Sequence, residues 1–408
     1  MVNFLSQKMW ESSKHYVSPF NFDVAMMGKL SLPKKLKFHD VTLRDGEQQA
    51  GLVFTKYDKV MIGRSLNRAG VDRIEVGTPG ISAEDRDAMR ALIAATLDAK
   101  LYSWCRNKKL DIMAAKECGS QGITIEVPAS QVIMKDAYST TVAETLSTIA
   151  ENAGYAKSEG LEVLLLLVDS TRSDLETLKM IIDGVEKYCD AIALSDSFGV
   201  IFPFAMFNLV SKVKSMTNKP VEVHCHNDFG MATANTLAAV AAGASVAHVT
   251  VNGIGERAGN TPLGEVALGA KLLLGVDVTV RLEELYRLSN ATAEITGFPT
   301  PPNKPIVGQN VFNIESAQAA QWLVKSASRG YAYPFSKDLV GHPGYKLILS
   351  KKSGPQNLEL KLKELGLKVN TDKYPQILGM IYERSLQKKG AITDDELLEI
   401  LQDLNIYK

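Results

Sequence analysis

The sequence has few cysteines and no long apolar segment. Its four cysteines, at positions 105, 118, 189 and 225, form no CxxC pair and no disulfide framework, which favours a reducing cytoplasm. The longest fully apolar runs, such as residues 163–168, are too short to span a bilayer, and residues 1–17 lack a signal-peptide core. The 46 basic and 46 acidic residues cancel, so nothing indicates nucleic acid or an anionic membrane as a partner. We therefore expect a cytoplasmic globular protein.

Short apolar runs alternate with longer amphipathic ones from residue 37 onward. The short runs predict strands at residues 37–43, 73–76, 101–105, 123–127, 162–168, 191–194, 221–226 and 246–251. The gaps predict helices at residues 56–69, 83–95, 110–117, 141–158, 174–187, 204–215, 232–242 and 263–274. Eight strands alternating with eight helices over roughly 240 residues indicate an α/β protein with a (β/α)8 TIM barrel. A doubly wound open sheet is the alternative. The barrel is favoured because polar motifs lie at the carboxyl ends of strands that are far apart in the sequence. A closed barrel brings the carboxyl ends of all its strands to one mouth.

The same patterns divide the chain into four parts. Residues 1–36 form an N-terminal extension, 37–295 a TIM-barrel catalytic domain, 296–345 a linker or lid subdomain, and 346–408 a small helical C-terminal subdomain. A proline-rich connector begins near Gly297. Leucine and isoleucine spacing predicts helices between Leu358 and Leu404, with Thr393 as a helix N-cap.

Two histidines separated by one residue follow the predicted strand at 221–226. Because successive side chains of a strand point to opposite faces, His224 and His226 share one face and Cys225 points to the other. Two imidazoles side by side at the end of a strand are half of a divalent-metal site. The alternative is a pair of separately hydrogen-bonded histidines.

Two further motifs follow the first and last strands. The first strand runs into Arg44 and Asp45, where Asp45 can supply a carboxylate ligand and Arg44 a cation suited to an oxyanion. The last strand runs into a glycine-rich segment in which Asn260 can add a neutral oxygen ligand. Its G-x-G-x-x-x-G spacing and late position make a dinucleotide-binding loop the weaker interpretation. Glu75 at the end of the second strand is a further catalytic candidate at the same mouth. The candidates for substrate binding are Arg44, Ser197, Thr250 and Glu256.

Three long motifs carry a family resemblance. D-x-T-L-R-D-G-E-Q at residues 40–48, H-x-H-N-D-x-G-x-A-x-A-N from residue 224, and G-I-G-E-R-A-G-N at residues 253–260 resemble the DRE-TIM metallolyases. Within this HMGL-like family the chain is similar to the 2-isopropylmalate, homocitrate and citramalate synthase branch. The resemblance implies a divalent cation on Asp45, His224 and His226, with Asn260 close by or ligating. It also implies that Arg44 stabilises the enolate or oxyanion, that Gln48 and Glu75 help to place the acyl donor, and that the protein is a homodimer.

The chain departs from the family's pattern after the barrel. Condensing members carry an H-x-S-G-x-H motif there, but this chain has Ile314 and Ala319 in place of the two histidines. Abstracting a proton from an acyl thioester needs a positioned base. The remaining candidates are Glu315, Tyr331, Tyr333 and His342.

Three functions are compatible with these residues. The first is an acyltransferase that condenses acetyl-CoA, or another acyl-CoA, with a 2-oxo acid at a Zn, Mn, Mg or Co ion, giving a 2-hydroxy dicarboxylate. The second is a metal-dependent aldolase or lyase that cleaves a carbon–carbon bond, and it is motivated by the missing histidines. The third is a non-catalytic homologue that keeps the metal. Retention of Arg44 speaks against the third, because a structural metal has no need of a cation beside it.

Overall fold

One parallel sheet organises the computed structural model, which describes residues 8–325 and 333–406. Its strands are β1 (Lys35–Asp40), β2 (Arg73–Glu75), β3 (Lys100–Cys105), β4 (Gly122–Pro128), β5 (Glu162–Val168), β6 (Ala191–Asp196), β7 (Val221–Cys225), β8 (Val246–Val249) and β9 (Asp277–Val278). β1 pairs with both β2 and β8, so the first eight strands close into a barrel, and β9 pairs with the start of β1. The predicted TIM barrel is confirmed, and the open-sheet alternative is wrong.

The described residues contain fifteen α-helices, and nine of them lie between consecutive strands. They are α1 (Val24–Met27), α2 (Lys56–Ala69), α3 (Ala83–Ala94), α4 (Lys109–Glu117), α5 (Gln131–Asp136), α6 (Val142–Ser158), α7 (Leu175–Val185), α8 (Pro203–Lys214), α9 (Ala232–Ala241), α10 (Leu263–Leu273), α11 (Leu285–Thr296), α12 (Ala317–Lys325), α13 (Pro355–Glu364), α14 (Tyr374–Lys388) and α15 (Asp394–Asp403). α2 and α6 begin at capping boxes, in which Thr55 and Thr141 each accept a bond from a backbone N–H in the first turn. No helix of the described part is both long and apolar enough to cross a membrane.

The apolar core lies outside the barrel wall, between the strands and the helices. Alternate residues of each strand enter it, for example Ile123 and Ile125 of β4 and Val163 and Leu165 of β5. The side chains between them face the barrel interior, because side-chain direction alternates along a strand. Cys225 belongs to the outer core, so its two flanking histidines face inward as the alternation predicts.

The first strand is shorter than predicted. It ends at Asp40 because the Asp40 side chain accepts a bond from the Thr42 N–H and turns the backbone. The Gly46 N–H then bonds to the Val41 carbonyl and completes a tight loop. Arg44 and Asp45 are therefore carried by this loop, directly after the strand.

The structure divides into two compact units, Pro19–Thr300 and Met1–Ser18 with Pro301–Lys408. The first contains the barrel. In the second, α13, α14 and α15 pack around an apolar cluster that includes Leu358, Ile377 and Ile400. The predicted N-cap at Thr393 is present, since its side chain accepts a bond from the Glu396 N–H at the start of α15.

Candidate metal centre

A carboxylate and two imidazoles converge at the end of the barrel where β1 and β7 finish. The Asp45 Oδ2 atom lies 3.4 Å from His224 Nε2 and 3.9 Å from His226 Nε2. The two Nε2 atoms are 3.2 Å apart. All three side chains are buried. Three potential ligand atoms lie within 4.8 Å of one another, and one divalent cation fits between them.

Asn260 joins the cluster from the loop after β8. Its amide Nδ2 donates to Asp45 Oδ1 at 2.9 Å. Among the described residues its Oδ1 atom has no hydrogen-bond partner, although it is buried. Because a buried oxygen without a partner is costly, this atom indicates a bound group. The donor set of two imidazoles, one carboxylate and one amide oxygen therefore fits a divalent cation.

Backbone pairing between two distant segments holds Asn260 in place. Residues His226 and Asn260 form an antiparallel bridge, and the Thr261 N–H bonds to the Cys225 carbonyl. The loop needs Gly255, which has φ of +152° and lies so close to Asn260 that an added Cβ would overlap its amide nitrogen. The glycine-rich motif thus lets the loop backbone approach the cluster.

Arg44 and Glu75 form a buried ion pair beside the cluster. The Arg44 Nε atom donates to Glu75 Oε1 at 2.5 Å, and Nη1 donates to Asp45 Oδ2 at 3.1 Å. Glu75 is fully buried, and its Oε2 accepts a bond from the Thr124 hydroxyl. The guanidinium also lies over the Trp104 ring, 5.6 Å from its centroid. Two carboxylates and an aromatic face therefore fix the position of the arginine.

These contacts set the charge states of the cluster. Burial alone raises the pKa of Asp45, but the Arg44 guanidinium and the imidazoles outweigh it and hold this pKa well below its usual range. Burial lowers the pKa of His224, and it lowers that of His226 to about 4. At neutral pH the cluster thus presents one carboxylate and two neutral imidazoles, which is the protonation state that binds metal.

The substrate-binding candidates lie in the barrel unit. The Thr250 hydroxyl is buried and donates to the Ile254 carbonyl. The Ser197 hydroxyl accepts from the Asp169 N–H, and the Ser197 carbonyl accepts from Arg257. Glu256 is exposed and pairs with Arg257 at 3.3 Å. Gln48 is exposed, at the end of a single helical turn after Asp45.

The acid–base candidates belong to the second unit. Glu315 accepts a bond from Lys352 at 2.6 Å, and Tyr333 donates to the Phe312 carbonyl at 2.8 Å. Burial raises the pKa of Glu315, but its bond with Lys352 outweighs this and lowers it overall. His342 is buried, and its Nδ1 accepts from the Gly344 N–H. Tyr331 lies outside the described residues.

Ile314 and Ala319, which replace the two histidines of the family motif, lie in apolar surroundings. Ile314 is 2% exposed and forms a small cluster with Ala320 and Leu347, and Ala319 packs against it. Neither position supplies an acid or a base.

Three residues at the centre were not singled out from the sequence. Thr124 and Trp104 contact the ion pair, and Glu126 is partly buried two residues beyond Thr124. Burial raises the pKa of Glu126, partly offset by a bond from Tyr138. The sequence could have indicated Glu126, because it is an acidic residue in an apolar strand and lies two positions from Thr124, on the same face.

The comparisons with known proteins place this site in a family. The HMGL-like family matches residues 35–292. The chain is 39% identical to the (R)-citramalate synthase of Methanocaldococcus jannaschii over 90% of this chain and 74% of that protein. It is 35% identical to the homocitrate synthase of Methanothermobacter thermautotrophicus over 94% and 96% of the two chains. It is 38% identical to a "Probable 2-isopropylmalate synthase" of Ignicoccus hospitalis over 91% and 93%.

Solved structures agree at the level of the fold. The HMG-CoA lyase of Bacillus subtilis matches with a TM-score of 0.60 and 19% identity, over 66% of this chain and 96% of that one. Such low identity shows the shared barrel alone. The chain therefore belongs to the HMGL-like family, and the predicted family and condensing-synthase class are confirmed.

Proposed function

We propose that this chain is a metal-dependent acyltransferase that condenses acetyl-CoA, or another acyl-CoA, with a 2-oxo acid. The product is a 2-hydroxy dicarboxylate of the isopropylmalate or citramalate type, or, from a dicarboxylic 2-oxo acid, a 2-hydroxy tricarboxylate of the homocitrate type. The single observation that carries the proposal is the buried cluster of Asp45, His224 and His226 beside the fixed guanidinium of Arg44. The relatives at 35–39% identity, which are named as synthases, support the condensing direction.

Asp45, His224, His226 and the Oδ1 atom of Asn260 would hold the divalent cation. Zn, Mn, Mg and Co all accept mixed nitrogen and oxygen ligands with open positions. When bound, the ion supplies Lewis-acid polarisation of the acceptor carbonyl. Neutral imidazoles and the ionised Asp45 need no deprotonation before loading at neutral pH.

Arg44 acts on the charge that develops during condensation. A C–H bond next to the thioester breaks, and its electron pair forms the new bond to the carbonyl carbon of the 2-oxo acid. The carbonyl oxygen then gains negative charge and takes a proton, and water hydrolyses the thioester to release the CoA thiol. The guanidinium, held by Glu75 and Asp45, provides a fixed positive charge for that oxygen.

The other site residues complete the proposal. Ser197, Thr250 and Glu256 bind substrate, and Gln48 and Glu75 help to place the acyl donor. Since Ile314 and Ala319 are apolar, the proton is taken by another group, for which the candidates are Glu315, Tyr331, Tyr333 and His342. The barrel domain at residues 37–295 is proposed to hold the metal and the substrate, and residues 296–345 are proposed as a linker or lid subdomain. We also propose that the protein is cytoplasmic and that it acts as a homodimer. Its mass in solution tests the homodimer.

The experiment is thiol release from acetyl-CoA by metal-loaded protein across a panel of small, branched and dicarboxylic 2-oxo acids. We expect release with one class of acceptor, abolished by chelation and restored by metal. Asp45→Asn is the matched control, because it keeps the side-chain shape and removes the ligand charge. Silence with every acceptor in metal-loaded protein would refute the proposal.

The lyase alternative is tested with the same preparation. Cleavage of 3-hydroxyacyl thioesters or 4-hydroxy-2-oxo acids, without thiol release from acetyl-CoA, would support it. Thiol release without such cleavage excludes it.

A further inference from the structure

A second cluster of ligand-type side chains lies inside the barrel wall. It consists of His39 of β1, Glu222 of β7 and His248 of β8. His248 Nε2 lies 3.0 Å from Glu222 Oε2, and the His39 and His248 rings stack with centroids 4.6 Å apart. One ligand atom of each residue lies within 4.8 Å of the others. Glu222 and His248 each precede, by two residues, a residue of the site described above.

These positions are unusual for a barrel interior. Branched apolar side chains normally fill it in layers. Here all three residues are buried, at 2% exposure or less. Among the described residues neither ring nitrogen of His39 has a hydrogen-bond partner, and its Nε2 lies 3.4 Å from Glu75 Oε2. A fully buried imidazole without a hydrogen bond indicates that a further group belongs beside it.

The cluster repeats the ligand types of the Asp45 centre. Each contains one carboxylate and two imidazoles, and in each an arginine pairs with the carboxylate. Arg73 Nη2 donates to Glu222 Oε1 at 2.6 Å, which leaves Oε2 directed at His248. A carboxylate beside the non-ligating nitrogen of a histidine is the usual support for such a ligand. The Glu75 Oε2 atom, 3.4 Å from His39 Nε2, would support His39 in this way when its Nδ1 atom binds the ion.

The donor types suit a cation. The cluster offers two imidazoles and one carboxylate, which are ligands that divalent transition metals accept.

A cavity reaches one member of the cluster, Glu222, from the opposite end of the barrel to the Asp45 centre. A cavity of about 640 Å³ opens at the start of the strands and is lined by Glu222, Arg73, Tyr102 and Val246 among others. An ion can thus reach Glu222 without passing the first site.

We propose that His39, Glu222 and His248 bind a second divalent transition-metal ion, of the class of Zn²⁺ or Co²⁺, inside the barrel. This ion links β7, β8 and β1, and the β8–β1 pair is the one that closes the sheet. Its role is to stabilise the closed barrel, and it takes no part in the proposed reaction.

The test counts metal ions in the full-length protein. The protein is stripped with a chelator, dialysed against excess ZnCl₂, freed of unbound metal and analysed by mass spectrometry of the elements. We expect two zinc ions per chain in the unchanged protein and one each in Asp45→Asn, His39→Phe and His248→Gln. His15→Gln, which alters a histidine outside both clusters, keeps two. The double variant Asp45→Asn with His39→Phe binds none.

A second readout does not depend on stoichiometry. Adding ZnCl₂ to stripped Asp45→Asn raises its melting temperature, because an ion that binds only the folded barrel stabilises it. The double variant shows no such rise. If the unchanged protein binds a single ion, or if His248→Gln still binds two, the cluster is only a hydrogen-bonded network and the proposal is overturned. Loss of activity in Asp45→Asn concerns the first site alone, so the two proposals fail separately.

Discussion

Glu75→Gln removes one negative charge from the buried pair that holds Arg44 and leaves the side-chain shape unchanged. Glu75 is fully buried and accepts the Arg44 Nε bond at 2.5 Å, whereas the bond from Nη1 to Asp45 is longer, at 3.1 Å. With glutamine in place, Asp45 becomes the main anionic partner of the guanidinium. Arg44 then competes with the metal for the Asp45 carboxylate.

Two magnitudes follow from this geometry. Breaking a buried ion pair by removing one partner costs about 3–5 kcal/mol of stability, and the glutamine oxygen can still accept one bond, so we expect about 3 kcal/mol. Disturbing a group that supports a metal ligand costs about 10- to 100-fold in metal affinity. That range corresponds to about 1.4–2.8 kcal/mol of binding free energy.

Urea unfolding of the stripped protein measures the first quantity. Zinc titration against a chromophoric competing chelator measures the second. Thr124→Val is the matched control, because it removes the hydroxyl bond to Glu75 and keeps the carboxylate charge. It should cost about 1 kcal/mol of stability and change metal affinity by about threefold at most. Wild-type stability together with wild-type metal affinity in Glu75→Gln would refute the electrostatic argument.

Three further predictions concern other parts of the molecule. Arg44→Met should lower kcat/KM for thiol release by about 10²–10³-fold. Arg44→Lys should restore only part of this loss, since one ammonium group cannot contact both Glu75 and Asp45 as the guanidinium does. Equal activity of the Arg44→Met variant and the wild type would contradict the assigned role. In metal-free protein the folded pKa of His248 lies near 4, below its unfolded value of 6.5, so its stabilising contribution is present above pH 6.5 and is lost as the pH falls towards 4. Urea unfolding across that range should show a loss of about 3 kcal/mol that His248→Gln lacks. Thr393→Ala should lower the free energy of unfolding of the C-terminal helical unit by about 1 kcal/mol, and an unchanged urea midpoint would show that the cap does not contribute.

Several confirmed predictions came from local patterns in the sequence. The two-residue repeat predicted that His224 and His226 share a face opposite Cys225, and the structure places them so. The cap at Thr393 followed from a hydroxyl before a run of acidic residues. Such features involve neighbours in sequence, so the sequence contains the information needed to predict them.

Element ends were predicted less well, because side-chain bonds decide them. The first strand stops at Asp40 when its carboxylate bonds to the Thr42 N–H, three residues before the predicted end at residue 43. Thr124 and Trp104 were missed for a related reason. Both occupy ordinary strand positions, and only their contacts with Glu75 and Arg44 distinguish them.

The sequence by itself determined the barrel, the shared face of His224 and His226 on their strand, and the residue types available for chemistry. The tertiary structure alone decided which inward side chains meet, because barrel closure joins residues far apart in the chain. Arg73 reaches Glu222 across 149 positions, and Asn260 reaches Asp45 across 215. Burial and these pairings then fix the charge states, which no single residue type specifies.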